Sequence, residues 1–234
     1  MKTSRYEINA GLGFRLSFAF LSDLHEKNTD EAFRLTAGSS PDAVLVGGDY
    51  IQDGGRFEKG IALLSSLAEL FPVFCSLGNH EFKYEGDIRS LTKAAGVTLL
   101  DNTDVLFRGV RIGGLTSGFD GRKQGTFKKT PPPDTAFLDG FSAKDGFKLL
   151  LCHHPEYYTD FIKGKNIDLT LSGHAHGGQW RLFGRGLYAP GQGLFPKYTS
   201  GMYDGRLIVS RGIGDSHRIP RINNDFEYVL LTLT

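Results

Sequence analysis

Five times along this chain an apolar-rich run stops abruptly at glycine, aspartate, asparagine or histidine. Residues 14–22 end in Asp23-Leu24-His25, and 41–46 in Gly47-Gly48-Asp49. Residues 73–77 end in Gly78-Asn79-His80-Glu81, and 147–152 in His153-His154-Pro155. Residues 167–171 end in Ser172-Gly173-His174-Ala175-His176-Gly177-Gly178. Short apolar runs without polar alternation read as strands covered on both faces. The polar groups then fall where strands end, so a rigid sheet positions them while the loop exposes them.

Between these runs the pattern changes to helical. Residues 28–38 suit a helix that stops at Gly38. In 57–70, Phe57, Ile61, Leu64, Leu67 and Ala68 share a face, and 87–95 ends at Gly96. A short helix is expected at 157–162. Residues 97–100 and 105–107 read as strands, with Arg108-Gly109 turning the chain into 110–115. Asp204-Gly205 is a favoured hairpin turn between 201–203 and 206–210, and 228–233 forms a closing strand. Strands alternating with helices indicate an α/β fold. Residues 1–13 yield no element. Residues 116–141, with Pro131-Pro132-Pro133 and several glycines and lysines, are expected to form a long surface loop with a short helix, acting as a lid or a mobile insertion. Because the strand-end motifs lie on both sides of that loop, 1–234 is expected to be a single domain.

Composition narrows the function. The 31 glycines cluster at strand ends. A net charge of +1 gives no global case for binding nucleic acid stably. Only the last part of the chain is mildly basic, which suits an anionic substrate. Cys75 and Cys152 sit inside apolar runs, as buried thiols of a reducing compartment do. A cytoplasmic location is therefore expected, and no run approaches the ~18 apolar residues of a membrane span. The stretch 179–198 holds Trp180, Phe183, Leu187, Tyr188, Leu194, Phe195 and Tyr198. These side chains either pack the second sheet or make a peripheral contact with acyl chains or a membrane surface.

Of the 7 histidines, His25, His80, His153, His174 and His176 occupy strand ends, joined by Asp23, Asp49 and Asn79. Histidine and carboxylate without cysteine suit Mn, Fe, Zn or Ni, with Mn favoured, and exclude a thiolate zinc site. This set exceeds one tetrahedral ion and fits two divalent ions sharing a carboxylate. Such a pair, ~3.5–4 Å apart, is the usual clamp for in-line displacement at phosphorus, and a water held between the ions is a hydroxide near neutral pH. The leaving oxygen needs a proton. His80, next to Asn79 but one residue out of phase with it, is the candidate acid. Asp23 and His25, two apart on an extended segment, should point to the same side. His154 should point across its strand, away from His153.

In this order, Asp23-x-His25, Gly-Gly-Asp49, Gly-Asn79-His80-Glu81, His153-x-Pro155 and Gly-His174-x-His176 resemble the calcineurin-like metallophosphoesterases over residues 16–178. The tail segments GGQWRLFGRG, PGQGLFPKYTSGMY, SRGIGDS and PRINN, with Glu227, resemble the bacterial YaeI/YkuE-like phosphodiesterase branch. The resemblance implies two packed mixed β-sheets flanked by helices, a four-layer αββα sandwich. It implies that Asp23, His25 and His176 hold one ion, that Asn79, His153 and His174 hold the other, that Asp49 bridges them, and that His80 is the catalytic histidine. The implied substrate is a small phosphodiester or pyrophosphate. One related type cleaves the pyrophosphate of UDP-diacylglucosamine, so a lipid-linked substrate at the membrane surface is the alternative. A non-catalytic metal-binding scaffold of the retromer type is weaker, because that member departs at the position this chain keeps as His80. Protein phosphatases of the family carry extra arginine motifs that are not found here. Glu26 stands where relatives often have a small or apolar residue, which should alter access near the first ion. Arg218 and Arg221 are candidates to grip a phosphate, and His217 reads as a surface residue.

Overall fold

A computed structural model of the chain describes residues 1–52, 56–119, 129–216 and 220–234. In chain order the first half gives β1 (Lys2–Ile8), β2 (Leu16–Leu21), α1 (Thr29–Ser39), β3 (Ala43–Val46), α2 (Glu58–Ala68), β4 (Val73–Cys75), α3 (Ile88–Ala94), β5 (Thr98–Leu99), β6 (Thr103–Phe107) and β7 (Val110–Leu115). The second half gives α4 (Thr135–Ser142), β8 (Phe147–Cys152), β9 (Leu169–Ser172), the two-residue strands β10 (Arg181–Leu182), β11 (Arg185–Gly186), β12 (Tyr188–Ala189) and β13 (Gly193–Leu194), then β14 (Gly201–Tyr203), β15 (Leu207–Val209) and β16 (Glu227–Leu233).

Two six-stranded mixed sheets result, ordered β1-β16-β2-β3-β4-β5 and β14-β15-β9-β8-β7-β6. The unbroken apolar runs are explained by burial on both faces. In β2, Leu16, Phe18 and Phe20 enter the core between the sheets. Ala19 and Leu21 face the opposite way, into the layer formed with α1, α2 and α3. In β8, Leu149 and Leu151 point inward, while Leu150 and Cys152 pack against Leu138 and Phe141 of α4 and against Tyr157, Tyr158 and Ile162. A side-chain period of two sends alternate residues into separate cores, so the runs are apolar on both faces, broken only near the strand starts by Ser17 and Lys148. Cys75 and Cys152 are buried free thiols.

Local signals place the helices. Asp87 caps α3 by accepting the Ser90 N–H at 3.1 Å, and Asp134 caps α4 by accepting that of Phe137 at 3.0 Å. Helix α4 is the short helix expected within 116–141; residues 120–128 of that stretch lie outside the described residues. Asp204 and Gly205 both have positive φ, and the Arg206 N–H closes the turn on the Tyr203 carbonyl at 3.0 Å.

Strand β1 corrects the expectation for the N-terminal segment. It pairs in parallel with β16, from Lys2 opposite Glu227 to Ile8 opposite Leu233. Its sequence, KTSRYEI, alternates polar with half-buried residues as an edge strand does, so a search for apolar runs passes over it.

Strands β2, β3 and β4 run parallel to one another, and so do β7, β8 and β9. Each set therefore releases its polar strand-end residues at a common edge, where α/β sheets place ligands.

Candidate metal centre

The strand-end loops are laced together by backbone. The N–H groups of Asp23 and His25 donate to the carbonyls of Gly48 and Asp49 at 3.1 and 3.2 Å, and Gly173 donates to His153 at 3.1 Å. Two glycines permit the approach. A Cβ on Gly78 would lie 2.3 Å from Asp49 Oδ1, and one on Gly173 would lie 2.4 Å from Asp23 Oδ2. Asp23, His25, Asp49, His174 and His176 all have left-handed backbone, with φ between 46° and 63°. Such residues cost about 1–3 kcal/mol each and persist only where surrounding structure imposes them. Asp23 and His25 converge, but through left-handed turns rather than the extended alternation expected from the sequence.

Asp23, His25 and His176 form one buried triad, and Asp49, His153 and His174 form another, with ligand atoms in each within 4.8 Å of one another. Asp23 Oδ1 lies 3.9 Å from His25 Nε2 and 3.7 Å from His176 Nε2. Asp49 Oδ2 lies 3.1 Å from His153 Nε2 and 3.8 Å from His25 Nε2, so this one oxygen adjoins both triads. Asn79 Oδ1 is buried with no hydrogen-bond partner. The His153 ring is fixed by its Nδ1, which bonds to the Gly47 carbonyl at 2.7 Å. His80 donates its backbone N–H to Asp49 Oδ1 at 2.8 Å, and its ring stands edge-on to His25, centroids 4.5 Å apart. Lys83 Nζ lies 3.4 Å from His80 Nε2.

The electrostatics call for cations. Burial pushes Asp23 up to about 6, against the pull of His153. Burial works in the same direction on Asp49, but His153, His80 and His25 hold that carboxyl well below the usual range. His153 would be lowered by burial, yet Asp49 and Asp23 take it to about 10. His174 is driven well below its ordinary value by burial and by His154, so it stays neutral and can offer a lone pair. Buried carboxylates ringed by imidazoles, together with an orphaned amide oxygen, fit divalent ions bound through oxygen and nitrogen.

Residues 16–178 match the calcineurin-like phosphoesterase family. This chain belongs to that family. It is similar to phosphodiesterase YaeI of Escherichia coli (strain K12), 29% identical over 92% of this chain and 80% of YaeI. It is likewise similar to metallophosphoesterase YkuE of Bacillus subtilis (strain 168), 30% identical over 92% of this chain and 79% of YkuE. These similarities place it in the YaeI/YkuE-like branch. Its fold is like that of TT1561 of Thermus thermophilus, with a TM-score of 0.50 at 14% identity over 68% of this chain and 82% of that one. A calcineurin-like phosphoesterase is a metal-dependent phosphoester hydrolase, and its family uses divalent metals. Among the described residues no helix is long and apolar enough to cross a membrane.

Three features of this phosphoesterase lie outside the set of residues assigned from sequence to the metals and the proton transfer. Glu81 is fully buried, and its carboxylate accepts the N–H groups of Asp49, Tyr50 and Gly78 at 2.7–2.9 Å. Burial and Asp49 push it up to about 7. Behind His174, His154 and Glu156 close a further group. Ser117 Oγ lies 2.6 Å from His154 Nε2, and Glu156 Oε1 lies 3.4 Å from His154 Nδ1 and 3.9 Å from His174 Nε2. The His154 ring stands 4.3 Å from that of His174 and 5.2 Å from that of His153, centroid to centroid, so it packs behind both instead of pointing clear of His153. Behind His176, Asp215 Oδ1 is 3.9 Å from Nδ1. Glu81 stands in the Gly78-Asn79-His80-Glu81 break and Asp215 in the SRGIGDS segment, but neither is marked there as a supporting group; Ser117 has a similar signal, since the apolar end of β7 breaks into Thr116-Ser117-Gly118 as the other runs do.

Arg221 adjoins the centre, with Nη2 3.1 Å from His176 Nδ1, but its guanidinium also donates to the carbonyls of Arg211 and Gly214 and to Asp215. That network holds the loop rather than leaving the group open to a phosphate. Arg218 and His217 lie outside the described residues. Glu26 turns away from the triads and accepts the N–H groups of Lys59 and Gly60 at the start of α2, at 2.9 and 2.6 Å. It secures a helix terminus instead of altering access to the site.

Proposed function

We propose that this phosphoesterase is a dinuclear-metal phosphodiesterase acting on a small phosphodiester or pyrophosphate. Asp23, His25 and His176 would hold one ion, Asn79, His153 and His174 the other, and Asp49 would serve both. The observation that carries the reading is the position of Asp49 Oδ2, 3.1 Å from His153 of one triad and 3.8 Å from His25 of the other. Two divalent ions bound there would supply an activated water and neutralise charge growing on the phosphoryl oxygens. Mn is taken as the working metal among Mn, Fe, Zn and Ni, all of which accept mixed histidine and carboxylate ligands. His80 would deliver the proton to the leaving oxygen. Its ring stands beside His25, and its backbone is tied to Asp49, which supports reading it as an acid held in a fixed position at the centre. The pairing of β1 with β16 ties one end of the chain to the other, which supports reading 1–234 as a single domain.

A second reading, cleavage of a lipid-linked pyrophosphate of the UDP-diacylglucosamine type, is favoured by the exposure of Trp180, Phe183 and Phe195. The test is hydrolysis of bis-p-nitrophenyl phosphate by purified protein reconstituted with Mn, with metal content measured in parallel. Two ions per chain and metal-dependent turnover are expected. His80→Ala should keep both ions and lose about 10²–10⁴-fold in rate. Two bound ions without turnover on any diester or pyrophosphate would favour the scaffold reading.

A further inference from the structure

Among the described residues, six of the ten large apolar side chains left exposed come from the stretch 180–195 and from position 222, which pairs with it: Trp180, Leu182, Phe183, Leu194, Phe195 and Ile222. Backbone pairing shows how they are arranged. Ile222 pairs with Trp180. The register of β10 on β11 sets Trp180 opposite Leu187, whose N–H donates to the Trp180 carbonyl at 2.9 Å. The register of β12 on β13 sets Leu187 opposite Phe195, whose N–H donates to the Leu187 carbonyl at 2.9 Å. Directly opposed residues share a face, so Ile222, Trp180, Leu187 and Phe195 form one apolar row across four backbone segments.

The turns beside the row carry aromatics where the backbone favours glycine. Phe183 has φ 49° and Phe195 φ 52°. Left-handed backbone is unfavourable for bulky side chains, yet Phe183 is fully exposed and Phe195 is 81% exposed. Neither ring is held there by burial in the core. By contrast, Tyr198 and Ala189 of the same stretch pack on the second sheet.

Charge points to the occupant. From Gly177 to Tyr203 the chain has no carboxylate, while Arg185 and Lys197, both exposed, flank the row. A second copy of the chain would bring these cations against their own kind in a two-fold contact. Anionic phospholipid headgroups complement them, and amphipathic aromatic rings partition into the headgroup zone. The row also abuts the centre: Trp180 follows Gln179, which donates to Asp215 at 3.2 Å, and Ile222 follows Arg221, 3.1 Å from His176.

We propose that this face seats the protein on an anionic phospholipid bilayer, with Trp180, Phe183 and Phe195 entering the headgroup zone. The metal centre then lies beside phosphoesters at that surface; this last part rests on the hydrolase reading above. The test is sedimentation of the full chain with vesicles of phosphatidylcholine alone or mixed with phosphatidylglycerol. Binding to the anionic vesicles is expected, weakening with salt. It should fall at least tenfold in Phe183→Ser/Phe195→Ser and in Arg185→Glu/Lys197→Glu, while hydrolysis of soluble bis-p-nitrophenyl phosphate is unchanged. The proposal is overturned if wild type stays in the supernatant at low salt, or if the phenylalanine variant sediments as wild type does. It is also overturned if ultracentrifugation shows a dimer that this variant abolishes, which would assign the face to a second copy. Sedimentation requires no turnover, so a failed hydrolase reading and a failed membrane reading give different results.

Discussion

Glu81 accepts the backbone N–H of Asp49 at 2.9 Å and that of Gly78 at 2.7 Å, both through Oε2. One buried carboxylate thus staples the end of β3 to the turn after β4, fixing the carboxylate between the triads relative to Asn79. Hydrogen bonds to a charged acceptor contribute about 1.5–3 kcal/mol. In Glu81→Gln an amide NH₂ would face at least one backbone donor, and the two loops would drift apart. Residues supporting metal ligands typically change affinity by about 10–100-fold. Glu81→Gln should therefore weaken Mn binding by that factor in a calorimetric titration; binding equal to wild type would deny the staple any role at the site.

Glu156 plays the corresponding part behind His174. It stands 3.9 Å from that imidazole and 3.4 Å from His154, and Thr130 donates its hydroxyl to it. Burial works to raise Glu156, but His154, His174 and Thr130 take it down to about 2, so it faces the histidines as an anion. A carboxylate behind a ligating histidine fixes the ring and raises its basicity. Glu156→Gln should leave one ion tightly bound and weaken the other about tenfold or more. Metal content after graded dialysis measures this, and loss of both ions together would argue for general unfolding instead.

The clustering of the candidate site was legible because its residues obey a rule visible in one dimension: an apolar run that ends in a group able to bind metal. Strand β8 shows why, since it feeds two cores and offers no alternation to confuse the reading. Glu156 and Asp215 break no such run, and Glu81 closes one without being a metal-ligand candidate; the importance of all three comes from what the fold brings against them. The left-handed backbone of Asp23 and His25 was equally invisible, because it is imposed by hydrogen bonds to Gly48 and Asp49. Strand β1 was lost for the opposite reason, having one half-buried face and an edge position.

Asp104 allows a pH test well away from the centre. It pairs with Arg111 across the β6–β7 hairpin at 2.7 Å and with Lys144 beyond α4. Burial would raise its pKa, but those two partners bring it below the ordinary value. A depressed carboxyl adds stability that is present above its unfolded pKa of about 3.9 and is lost as pH falls through the folded value. Asp104→Asn should melt earlier than wild type at neutral pH, and the gap should close as pH drops below about 4. A gap that stays constant with pH would mean that the variant has lost packing rather than charge.

Asn79 gives the sharpest separation between structure and metal binding. Its Oδ1 is buried without a hydrogen-bond partner, although the backbone around it is held by Glu81. An unsatisfied buried acceptor costs about 1–3 kcal/mol, a cost with no return in the metal-free protein. Asn79→Ala should therefore melt at or above the wild-type temperature when metal is removed. With saturating Mn the order should reverse, because an ion at about 100 times its Kd adds about 2.7 kcal/mol to the form that binds it. Scanning calorimetry of both proteins, stripped and loaded, reads both signs at once. A variant less stable by the same margin in both states would show that the Asn79 amide serves the fold and holds no ion.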